Sequence, residues 1–79
     1  MTVPTTPMMQ RYFFNLINDK KIADDRGEMC TFAEAQTTAL DVAAELGRNQ
    51  SRNKIRGLSI SVTDASGAEL FRTPVRTNL

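Results

Sequence analysis

Seventy-nine residues make at most one domain, and 41% apolar with 24% charged residues is the balance of a globular chain rather than a disordered one. One cysteine, Cys30, excludes an internal disulfide. The absence of histidine excludes Ser-His and Cys-His pairs and, with a single thiol, a structural zinc site. The net charge of +1 hides an asymmetry. Residues 1–47 carry four cations against seven acids, net −3, and residues 48–79 carry six against two, net +4. A chain divided this way can pair with a second copy or steer an anionic partner.

A chain this short buries only about 60% of the surface its unfolded form exposes, so association would help it. The N-terminus lacks the basic and continuous apolar regions of a secretory signal. No apolar run approaches the ~20 residues that cross a bilayer. The expectation is a cytoplasmic protein with no membrane contact.

Residues 1–9, with two prolines and three threonines and no periodicity, are expected to form a disordered tail preceding a single α+β domain over 10–76. Arg11 to Ile17 (RYFFNLI) carries the strongest strand signal. Tyr12, Phe14 and Leu16 fall on one face at period two, and Phe13, Asn15 and Ile17 on the other. Asn18-Asp19-Lys20-Lys21 reads as a turn, and Ile22 to Asp24 as a short return strand. Asp24-Asp25-Arg26-Gly27 fits a type I turn whose first carboxylate accepts a local N–H.

Thr31-Phe32-Ala33-Glu34 is a capping box that starts a helix over Phe32 to Leu46. Its apolar stripe is Phe32, Ala35, Ala39, Val42, Ala43 and Leu46. Gly47 suits the left-handed position after the helix, with Arg48 near its negative end. Residues 48–57 (RNQSRNKIRG) read as a basic connection. Leu58 to Thr63 alternates cleanly, with Leu58, Ile60 and Val62 inward. Asp64-Ala65-Ser66-Gly67 repeats the Asp-x-x-Gly turn and predicts a hairpin with Ala68 to Val75. In that last strand Leu70 and Phe71 take opposite faces unless a bulge intervenes, and Pro74 marks an edge. The fold class expected is α+β, in the order ββαββ, with one helix on a mainly antiparallel four-strand sheet.

Four features, Arg-Tyr-Phe-Phe-Asn at 11–15, Asp-x-x-Gly at 24–27, the capped helix from Thr31-Phe32 to Ala35, and Val62-x-Asp64-x-x-Gly67, resemble a family of short uncharacterised proteins of rhizobia and related alphaproteobacteria. The resemblance covers roughly residues 9 to 76. It implies a fold and no activity, so no functional residue carries over. Asn15 stands where that family often has Asp. The hairpin–helix–strand order is similar, more loosely, to HicB-type antitoxin domains.

Cys30 precedes the helix cap, where a helix N-terminus could lower its pKa, but a small buried residue is the expectation. Asp19, Asp24, Asp25 and Glu28 lack the spacing of a calcium loop and are interleaved with Lys20, Lys21 and Arg26. Asp41 and Glu45, four apart on a helix, have no reason for shifted pKa values. Neither an enzyme, a metal nor a cofactor is expected.

Two surfaces remain. One helix covers one face of a sheet, and the other face would expose Phe13, Ile17 and Phe71. That predicts a protein interface, a homodimer first, in a small non-enzymatic interaction or regulatory module. Arg48, Arg52, Lys54 and Arg56 could instead contact phosphates, making nucleic acid the second reading.

Overall fold

A computed structural model describes residues 8–18 and 20–76. Most of the expected tail, and Asp19 in the first turn, lie outside the described residues. Eight residues of mixed aromatic and aliphatic character form β1 (Gln10–Ile17). It is followed by β2 (Lys21–Ile22), β3 (Glu28–Cys30), the helix α1 (Phe32–Asn49), a single turn of helix α2 (Arg52–Ile55), β4 (Ser59–Thr63) and β5 (Glu69–Pro74). The fold is α+β, one main helix on an antiparallel sheet in the order β-β-α-β-β, with the second strand split in two. The sheet runs β2-β1-β4-β5, and β3 also pairs with β1.

The split of the return strand is a register effect. Leu16 pairs with Ile22, but Gln10 pairs with Cys30, so residues 23–27 hold more chain than β1 can match. Asp24 fills the break. Its carboxylate accepts from the backbone N–H of Phe14 at 3.2 Å, where a strand carbonyl would otherwise serve. It also accepts from the N–H groups of Arg26 and Gly27. Gly27 takes φ +69° and lies under the Phe13 ring, where a Cβ would stand 2.9 Å from Cε2. Sequence pattern placed the turn but not β3, whose three residues are too few to show periodicity.

The Thr31 capping box forms in full: Glu34 N–H donates to the Thr31 hydroxyl and Thr31 N–H donates to the Glu34 carboxylate. Gly47 does not end the helix. It lies inside α1, which continues to Asn49 and ends at Gln50. The buried positions are Ala35, Ala39, Ala43 and Gly47, a row of small side chains that lets the helix axis approach the sheet. Val42 and Phe32, expected in the stripe, sit at its margins and are partly exposed. Phe32 still tilts against Tyr12, ring centroids 5.9 Å apart.

Register fixes the two faces. Phe14 stands opposite Val62, Leu16 opposite Ile60, and Val62 opposite Phe71. Together with Tyr12 these residues meet the helix and form the core with Ile55, Val75 and the alanines. A bulge at Val62/Thr63 takes Leu70 out of the alternation and leaves it exposed. Among the described residues no helix is long and apolar enough to cross a membrane.

Candidate functional site

Two surfaces stand out. The first is the sheet face turned away from α1. Its floor is polar: Asn15 is 2% exposed, Ser61 1% and Thr63 7%. Asn15 ties three segments together. Its Nδ2 donates to the Ser61 carbonyl at 3.2 Å and to the Thr63 hydroxyl at 3.1 Å, and its Oδ1 accepts from Asp24 N–H at 2.9 Å. Ser61 donates its hydroxyl to Glu69 at 2.7 Å, and Arg72 donates to the same carboxylate oxygen. The Ser61 and Arg72 hydrogen bonds outweigh desolvation and, with the charges of Arg72 and Lys21, hold the Glu69 carboxyl below its ordinary pKa. Every buried side-chain polar atom among the described residues has a partner.

Phe13 and Ile17 flank this floor, both half-buried. Phe71, grouped with them on sequence grounds, belongs to the other face. It stands opposite Val62 and packs on the core, because the bulge shifts the register of β5 by one residue. Met29, opposite Arg11 in β3, joins the open face and is exposed.

The second surface is basic. Residues 48–57 are not an irregular loop: α2 folds there, anchored by Ile55, which is 3% exposed. Burying Ile55 leaves Arg52, Lys54 and Arg56 exposed, while Arg48 rides the last turn of α1. Arg52, Asn53, Arg56 and Gly57 line a cleft of about 450 Å³ whose other wall is Val75 and Arg76. A backbone bond from Val75 N–H to the Leu58 carbonyl, 2.9 Å, brings that wall into place. Arg76 was not in the sequence-based group because twenty positions separate it from Arg56, and only the β4–β5 pairing closes that distance.

Cys30 is buried, and burial, reinforced by the charges of Glu28 and Glu34, pushes its thiol pKa up. The position before a helix N-terminus does not activate it. Among the described residues no three of Cys, Asp and Glu come together as a metal-binding group.

These features define a small sheet-and-helix domain with a hydrogen-bonded open face and a basic cleft at one end. Residues 11–76 match the model of the domain of unknown function DUF6894, and the chain belongs to that family. No curated protein and no solved structure matches it. The looser likeness to antitoxin domains therefore rests on element order alone.

Proposed function

We propose that this chain is a small non-enzymatic interaction module of the cytoplasm that self-associates through the open sheet face. The observation that carries this reading is the pairing of Phe13 and Ile17 with a floor that is already satisfied. Asn15, Ser61 and Thr63 already make their hydrogen bonds within the protomer, so covering this buried floor takes no partner away from it. Glu69 and Arg72 place both signs of charge on β5, and a two-fold contact can match each with its opposite. The occupant is a second copy of the chain. Four strands ~4.8 Å apart make a narrow face, so the dimer is weak and concentration-dependent.

Sedimentation equilibrium over a concentration range tests this. The dimer persists at high salt, and Phe13→Asp and Ile17→Glu each shift it to monomer while circular dichroism keeps the helical signal. Association that is unchanged in both variants, or a wild-type monomer at every concentration, rejects the reading.

A further inference from the structure

The open face does not account for the cleft at the other end of the molecule. We infer that the cleft between α2 and the end of β5 binds the phosphodiester backbone of nucleic acid, with Arg52, Arg56 and Arg76 as its contacts. Three observations support this. From Leu46 to Thr63 the sequence contains no acid, although Arg48, Arg52, Lys54 and Arg56 all fall there. Among the described residues no carboxylate lies within ion-pair distance of these cations or of Arg76, whereas Arg72 has Glu69 at 2.7 Å. Arg52, Arg56 and Arg76 are also held on a concave surface built from two segments far apart in sequence, rather than scattered on a flexible chain.

The arrangement selects among anions. A single small anion is satisfied by two or three donors. Arg48 and Lys54, both exposed and within four residues of Arg52 in sequence, add further positive charge to this end of the molecule, which fits a polymer with regularly spaced charges. A lipid surface fits less well, because Ile55, the apolar side chain of α2, is turned into the core and cannot insert. Among the described residues no aromatic side chain lines the cleft, so the site offers no stacking platform and binding is sequence-independent.

Fluorescence anisotropy of a labelled DNA duplex of arbitrary sequence tests this. Three phosphate contacts give a slope of about −2.7 in log affinity against log salt, a loss of roughly 40-fold between 50 and 200 mM. The variant Arg52→Ala/Arg56→Ala/Arg76→Ala weakens binding at least about tenfold, and Lys20→Ala/Lys21→Ala/Arg26→Ala, with the same loss of charge, leaves it within about twofold. Equal weakening by the two variants overturns the site in favour of diffuse attraction. So does displacement of the duplex by millimolar inorganic phosphate, which marks a small-anion site. Binding to phosphatidylserine vesicles without binding to the duplex, or no anisotropy change at the lowest salt, overturns it as well. None of these readouts depends on whether the sheet face dimerises.

Discussion

Gly47, in the last turns of α1, packs directly on the carbonyl of Arg76, and a Cβ at position 47 would overlap that oxygen. The contact fastens the helix to the chain just beyond β5. It also explains a glycine in a helix interior, where it is costly by roughly 1 kcal/mol relative to alanine. Gly47→Ala therefore runs against propensity. Despite the gain in helix preference, the variant loses about 1–3 kcal/mol of stability because the chain just beyond β5 must move away. Urea denaturation measures this, and an unchanged or raised midpoint refutes the contact.

Asn15 is the second point of fixation. Asn15→Ala leaves the Ser61 carbonyl, the Thr63 hydroxyl and Asp24 N–H without their partner and costs about 2–3 kcal/mol. Asn15→Asp keeps acceptance from Asp24 but loses the donor to Ser61. A carboxyl buried there has a raised folded pKa, so its protonated form is the better tolerated one. The deficit of that variant against wild type is smaller near pH 4 than near pH 7. Equal deficits at the two pH values would show that the site is open to solvent.

Asp24, Glu34, Asp64 and Glu69 set the acid limit of the fold. At Asp24 burial raises the carboxyl pKa, but the N–H groups of Arg26, Phe14 and Gly27 together outweigh it, and Arg26 adds its charge. Thr31 does the same for Glu34, and Ser66 leads the lowering at Asp64. All four folded values lie below the unfolded ones. Their stabilisation is present above the unfolded carboxylate range near ~4 and disappears as pH falls through the depressed folded values. Urea midpoints fall as the pH drops below about 4, and the fall is shallower in Asp24→Asn.

Cys30 provides a probe of opening. Its thiol, buried and raised in pKa, reacts slowly with iodoacetamide at neutral pH in the native chain and rapidly in denaturant. Fast native alkylation would mean that the end of β3 frays from β1.

The parts of the fold that follow local rules were legible in sequence. The Thr31–Glu34 box, the aromatic β1, the alternation of β4 and the Asp64–Gly67 hairpin each rest on chemistry within a few residues. The features that failed depend on distant partners. Gly47 has the signature of a helix stop, and only Arg76, twenty-nine positions later, reveals why a glycine is needed within the helix. Phe71 changed faces because of a one-residue bulge that no composition rule places. Residues 48–57 read as a loop because a single apolar residue, Ile55, is enough to anchor a turn of helix against an existing core. The burial of the polar floor was not legible either. Ser61 and Thr63 fall on the outward side of the β4 alternation, yet they are buried together with Asn15 by their neighbours.

The broken return strand also shapes the borders of the sheet. One border of the sheet consists of β2 and β3, two and three residues long, with the Asp24 loop between them. The other border, β5, is bulged near its start and closes on Pro74, which has no N–H to offer. Among the described residues neither border presents the long, flat row of free amides and carbonyls that templates strand after strand into fibrils. Open-ended growth of the sheet is thereby disfavoured at both sides by the same short interruptions that shape the fold.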